Sequence, residues 1–185
     1  MKYQTIVADP PWHYEAFANN PKPGLGGTAP LPYSSLTLDE IRRIPVADLA
    51  ATDCRLFMWT TNKYLGEAFG VLNSWGFRYT QTLVWHKTGN PSPFGGSVAP
   101  NHAEYILVGR RGTPAVVSRM SSSVVAAPVT DHSVKPECFL DYIEAVSEPP
   151  YVELFARRAR FGWDYWGNQS LGTAQLGELH ADTCH

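Results

Sequence analysis

Asp9-Pro10-Pro11-Trp12 follows directly on the apolar run Thr5-Ile6-Val7-Ala8. An acidic residue at the end of a short strand, two prolines and an aromatic place a carboxylate, backbone carbonyls and a flat ring around one small volume. The proline rings fix φ and carry no N–H donors, so a group entering this volume meets acceptors. That chemistry suits a planar amino group, such as the exocyclic amine of adenine. The competing reading is a rigid turn, with Asp9 capping it and Trp12 covering core.

Other residues able to do chemistry lie far along the chain. Lys135 precedes Pro136 at the start of an apolar-faced helix, where a lysine beside the N-terminal dipole is electrostatically unfavourable. This favours a functional partner over an exposed helix start. Glu153 sits in the apolar run Tyr151–Phe155, where an unpaired carboxylate is costly. A sugar diol or Arg157 would satisfy it. Glu104 has Arg110 and Arg111 as possible ion-pair partners, and Tyr33 and Trp59 can both be core. His86, His102 and His132 are too scattered for a zinc site, so no metal is expected.

Alternating segment types must position these groups. Thr5–Ala8, Leu56–Trp59, Arg78–Trp85, Tyr105–Val108 and Tyr151–Phe155 read as strands. Thr37-Leu38-Asp39-Glu40 has capping-box spacing and opens a short helix that Pro45 ends. Asn62 caps a helix with Leu65, Ala68, Phe69, Val71, Leu72 and Trp75 at helical spacing. Ser133 caps another, with Pro136 in its first turn and Phe139, Leu140, Ile143 and Val146 on its face. The segment 113–131 reads as two short strands around Ser121-Ser122-Ser123 or as loop. Residues 13–34 and 88–101 are proline- and glycine-rich loops, of a length that is usually functional. The alternation predicts an α/β fold with a mostly parallel sheet. Ligands in such sheets sit beyond the carboxyl ends of the strands, which is where Asp9, Thr60, His86 and Ala156 fall.

The 185 residues suit one domain, residues 1–169, with a tail at 170–185. No apolar stretch approaches the ~20 residues of a membrane span, and the first residues lack the apolar core of a signal peptide. Three widely spaced cysteines suggest free thiols in a reducing, cytoplasmic compartment. The net charge is −2, yet Arg78, Lys87, Arg110, Arg111 and Arg119 share their stretch with one acid, Glu104. Arg157, Arg158 and Arg160 form a second basic cluster. A basic face on a near-neutral chain is compatible with nucleic acid and equally with a solvated surface.

The chain resembles the adenine-N6 methyltransferases of the messenger-RNA adenosine methyltransferase type, in their bacterial and phage DNA-modifying branch. The resemblance runs through an ordered series: Asp9–Trp12, Leu31-Pro32-Tyr33, Leu38–Ile41, Leu56–Trp59, Trp75-Gly76-Phe77, Val84–Thr88, Asn101–Gly109, His132–Pro136, Glu153–Arg157 and Trp166–Gln169. It implies a Rossmann-like, S-adenosylmethionine-dependent sheet in permuted order, with the catalytic strand before the cofactor strand. It implies that Asp9 and Pro10 accept from the target amine, and that Pro11 and Trp12 shape the base pocket. Trp12 would stack on the base and Tyr33 would line its side. Lys135, Glu153, Phe155, Arg157, Asn168 and Gln169, together with Asp9, would hold the cofactor. Lys87, Arg110 and Arg111 would meet phosphates, with Glu104 also on the substrate side. The chain departs from the larger relatives in having Ala159-Arg160 where they carry His-Asn, and no GxGxxG loop follows the late strand. The expected substrate is DNA, with RNA as the alternative. The expected partners are nucleic acid and a homodimer mate or partner subunit, and no membrane. A support subunit without catalysis and a cytosine-amine enzyme are the rival functions; serine in place of Asp9 and tyrosine in place of Trp12 would favour the latter. No separate recognition domain fits the length, so a short or relaxed target site is expected.

Overall fold

The computed structural model describes residues 1–13, 35–89, 98–130 and 134–167. Seven strands are present among them: β1 (Tyr3–Ala8), β2 (Ala50–Thr60), β3 (Arg78–Thr88), β4 (Ala103–Arg111), β5 (Val124–Pro128), β6 (Tyr151–Leu154) and β7 (Trp163–Trp166). The helices are α1 (Leu38–Arg43), α2 (Val46–Leu49), α3 (Leu65–Ser74) and α4 (Cys138–Val146). One sheet holds all seven strands in the order β5-β3-β4-β2-β1-β6-β7. Only β4 runs against its neighbours β2 and β3; the pairs β1–β2, β1–β6, β6–β7 and β3–β5 are parallel. The α/β, mostly parallel expectation holds. From β1 the chain leaves towards β2, and from β6 it leaves towards β7 on the other side. The carboxyl ends of these two adjacent strands therefore diverge, which opens a crevice at that point.

Strand alternation sorts the core into two layers. Ile6, Ala8, Leu56, Met58, Leu107, Val152 and Leu154 pack against Ile41 of α1 and Ala68, Val71 and Leu72 of α3. Val7, Phe57, Trp59, Trp85, Ile106 and Val108 pack against Phe139, Leu140 and Ile143 of α4. The parity that buries Val7 under α4 sends Asp9, two residues on, to the same side. Glu104, Lys87 and Glu153 share that side by the same alternation.

Local signals account for most helix limits. Both bonds of the Thr37 capping box form, Glu40 N–H to Thr37 Oγ1 at 3.3 Å and Thr37 N–H to Glu40 Oε2 at 2.7 Å. Asn62 does not cap α3; residues Asn62–Tyr64 make a 3-10 turn, and the α-helix begins at Leu65. Helix α4 begins at Cys138, past Pro136, and Glu137 supplies no side-chain cap. The bonds Phe139 N–H to Pro136 O and Leu140 N–H to Glu137 O span three residues, so Pro136 belongs to a tight lead-in turn. Ser133 lies outside the described residues. The 113–131 segment holds one strand, β5, and β7 was not anticipated. Only Trp163 of its four residues is buried, so it has no alternation to read. No helix among the described residues is long and apolar enough to cross a membrane.

Candidate active site

The turn after β1 is built from its own backbone. Asp9 N–H donates to Leu154 O at 3.4 Å, tying the ends of β1 and β6 together. Trp12 N–H donates to Pro10 O at 2.8 Å, and Leu36 N–H to Pro11 O at 2.9 Å. A carbonyl oxygen has a second lone pair, so Pro10 keeps acceptor capacity. Trp12 is 4% exposed; its ring stacks on Tyr64 at 5.3 Å and its Nε1 donates to Trp59 O at 3.2 Å. The expectation that Trp12 stacks on a base is corrected here, because core packing occupies the ring. Trp12 instead braces the motif from behind and fixes the end of β2.

On the α4 side, charges of alternating sign cross the sheet. Lys87 Nζ donates to Glu104 Oε1 at 2.6 Å, Lys135 Nζ lies 3.0 Å from Glu104 Oε2, and the same Nζ lies 3.3 Å from Asp9 Oδ2. Two indoles form the floor, with Lys87 Nζ 5.0 Å from the Trp85 ring centroid and Lys135 Nζ 5.3 Å from that of Trp59. Such contacts favour a cation where water is scarce. Burial pushes the Asp9 carboxyl up; Lys135 opposes it, Glu104 adds to it and Arg157 opposes it, with a net rise. Burial also pushes Glu104 up, but Lys135 and Lys87 outweigh it and hold that carboxyl below the ordinary range. For Lys135, burial works against the charge, and Asp9 and Glu104 overcome it and hold the amine well above the usual lysine value.

Glu153, on β6 opposite Val7, faces the same crevice. Burial, then the charge of Asp9, pushes its carboxyl up to about 7, with Arg158 and Arg160 only partly offsetting them. Its carboxylate has no hydrogen bond or ion pair among the described residues. The chain then turns through Phe155 at φ +64°, a left-handed conformation that a bulky side chain seldom adopts. Phe155 meets Trp166 edge-on at 5.4 Å, and Ala156 N–H donates to Trp166 O at 3.1 Å. Gly167 is required beside this turn, because a Cβ there would stand 2.5 Å from Ala156 O. The connection to β7 is strapped to α4. Arg158 pairs with Glu137 at 2.9 Å, and Arg160 reaches Asp141 at 2.6 Å and both oxygens of Glu144 at 2.8 Å. Trp163 Nε1 also donates to Glu144, at 2.6 Å.

The structure thus brings Asp9, Pro10, Pro11, Lys87, Glu104, Lys135, Glu153, Phe155 and Arg157 to one end of the sheet. It does not bring Arg110 and Arg111 there. They oppose Arg55 and Cys54 in the middle of β2, roughly 20 Å along β4 from Glu104. Their guanidinium groups donate to Gly112 O and Ala47 O. They are not ion-pair partners of Glu104, and Lys87 is committed to Glu104 rather than free for a phosphate. Tyr33, Asn168 and Gln169 lie outside the described residues. The sequence reading missed the Trp85 floor and the Arg160 strap. The two-residue spacing from Trp85 to Lys87 in a strand was the available signal for the first; the strap pairs residues too distant in sequence to leave one.

The residues at the β6 exit suit S-adenosylmethionine. Among the described residues Glu153 is a carboxylate lacking a partner, which a ribose diol would satisfy.

The MT-A70 family model matches residues 3–169. The chain belongs to the MT-A70 family. It is 33% identical over 184 residues to the type II methyltransferase M.MunI of a Mycoplasma species, covering 90% of this chain and 77% of that protein. It is 30% identical to the human N(6)-adenine-specific methyltransferase METTL4, over 91% of this chain and 38% of that protein. Identity to the human N(6)-adenosine-methyltransferase catalytic subunit METTL3 is also 30%, over 92% of this chain and 29% of that protein. The chain therefore spans most of the Mycoplasma enzyme but well under half of the human ones. The seven-stranded α/β sheet agrees with the Rossmann-like methyltransferase fold that membership of the MT-A70 family implies.

Proposed function

We propose that this MT-A70 chain methylates the N6 amine of adenine in DNA. The observation that carries the reading is the Asp9 carboxylate, held at the β1–β6 crevice within 3.3 Å of Lys135 and beside Pro10 O. The similarity to M.MunI over most of both chains favours DNA.

Adenine's amine is a poor nucleophile because its lone pair is shared with the ring. Asp9 and Pro10 O accept its two hydrogens and favour a more tetrahedral nitrogen, freeing the lone pair for in-line attack. S-adenosylmethionine, when bound, would supply the electrophilic methyl group, its S–C bond breaking as N–C forms to leave a neutral thioether, and the surplus proton of the amine would leave after transfer. Lys135 favours the ionised form of Asp9 and fixes its orientation; Glu153 and the Phe155 turn hold the cofactor end of the crevice. Arg157 completes that end. This is catalysis by positioning and by acceptors fixed before the reaction. A duplex base must leave its stack to reach the crevice, which costs a few kcal/mol. Residues 1–169 form the catalytic domain in this reading, and target choice rests on a short site or on a partner chain.

Transfer of labelled methyl to matched single-stranded DNA, duplex DNA and RNA, with nucleoside analysis, tests the reading. N6-methyladenine in DNA is expected, with Asp9→Asn lowering the rate by about 10²–10³-fold while the circular dichroism spectrum stays unchanged. Label in RNA alone would move the substrate to the alternative that the adenosine methyltransferase relatives suggest. Label in none would refute catalysis by the lone chain.

A further inference from the structure

We infer that Lys87 is a positioning residue for the methyl-transfer reaction, acting on Asp9 through Glu104 and Lys135, and not a nucleic-acid contact. The inference rests on the methyl-transfer reading above.

Lys135 serves two carboxylates, and the nearer is Glu104, at 3.0 Å against 3.3 Å for Asp9. Left alone, Glu104 would compete with Asp9 for Lys135 from the shorter of the two distances. Lys87 removes that competition by holding the other oxygen, Oε1, at 2.6 Å. The geometry leaves Lys87 little freedom: its side chain is 12% exposed and its amine is seated over Trp85. A lysine meant for phosphates keeps its amine in water, and this one does not. Every charged group facing Asp9 enters the balance. Glu104 from β4 and Glu153 from β6 oppose its ionisation; Lys135, ahead of α4, and Arg157, after β6, support it. Lys87, on β3, has no contact with Asp9, but without it Glu104 draws Lys135 away and Asp9 loses its nearest cation.

The test is the pH profile of kcat/KM on the polymer that wild type methylates. Lys87→Met is expected to move the acid limb up by roughly half to one pH unit, a three- to tenfold loss on that limb, with the polymer KM unchanged. Lys87→Arg keeps the limb where it is. The double variant Lys87→Met/Glu104→Gln removes the competing carboxylate with its lysine, so the limb returns to or below the wild-type position. A phosphate contact would instead raise the polymer KM, flatten its salt dependence and leave the limb in place. That result, or a limb that moves in Lys87→Met and is not restored in the double variant, overturns the inference. Should Lys87→Met fail to fold, Glu104→Gln alone decides: it frees Lys135 for Asp9 and lowers the limb, and a limb that stays or rises is the refutation. A wild-type chain inactive on every polymer overturns the methyl-transfer reading itself, whereas an active wild type with an unmoved limb overturns only the role of Lys87.

Discussion

Replacing Glu153 by glutamine separates what the site costs the fold from what it contributes to binding. Burial and then the neighbouring charge of Asp9 raise this carboxyl from its ordinary 4.5 to about 7. Between those two values the folded protein keeps a proton that the unfolded chain has released. Stability therefore falls as pH rises through that window and levels off above about 7. At about 1.4 kcal/mol per pH unit, the ionised carboxylate costs about 3 kcal/mol, which partial access to water trims to about 2 kcal/mol. Glutamine has nearly the same shape and no charge. In urea titrations Glu153→Gln is expected to exceed wild type by about 2 kcal/mol at pH 8 and to match it within about 0.5 kcal/mol near pH 4.5. The gain shrinks in an Asp9→Asn background, where the like charge is gone. The same variant weakens S-adenosylmethionine binding at least roughly tenfold, because a charged acceptor for the ribose diol is lost. Equal gains at both pH values, or a less stable variant at pH 8, would show that Glu153 is not a strained carboxylate and would remove the argument for its role.

Trp12→Ala is expected to destabilise the protein by about 3–5 kcal/mol, because the ring is core. Trp12→Phe costs about 1 kcal/mol for the donor lost from Trp59 O and leaves the polymer KM unchanged; a large rise in that KM would restore the base-stacking role. Arg160→Ala releases the strap between β6 and β7 from Asp141 and Glu144. It is expected to cost about 1–2 kcal/mol in thermal or urea unfolding and to raise the cofactor Kd several-fold by isothermal titration. Arg160→Lys recovers little of this, since lysine lacks the two-pronged fork.

The parts of this molecule that were legible in the sequence are those set by local chemistry. Thr37 and Glu40 are three residues apart, and the capping box they form needs nothing else. Asp9 at the end of an apolar run has to face the carboxyl end of a buried strand. Trp12 misled because an aromatic beside a catalytic carboxylate reads equally well as a stacking surface and as core. Only the partner Tyr64, brought by the turn before α3, decides between them. Arg110 and Arg111 misled because β4 is the antiparallel strand. Basic residues at its carboxyl end sit where parallel strands begin, and nothing in the strand's composition declares its direction. β7 was invisible for a related reason: it is stabilised by pairing to β6 and not by its own alternation.

The charge chain from Lys87 to Asp9 is a poor device for stability. Taking four ionised groups partly out of water costs several kcal/mol for each, and mutual attraction only about repays this where geometry is good. An apolar set of similar volume over Trp59 and Trp85 would hold the sheet as well or better. What such a set could not do is keep Asp9 ionised beside Glu153 while leaving its second oxygen free for an amine. The alternation of sign does this without a net local charge: each carboxylate in the chain touches a cation, and Lys135 is fixed from both sides. Glu153 stands outside the alternation, and burial and the charge of Asp9 penalise its ionisation. In the proposed reading the cost falls at the cofactor end, where a ribose diol would satisfy the carboxylate. Cofactor binding that favours the carboxylate should therefore release protons below about pH 7 and few at pH 8, and stabilise the fold more at pH 8 than at pH 5; thermal shifts with S-adenosylmethionine that grow in the opposite direction would contradict the placement of Glu153 at the ribose.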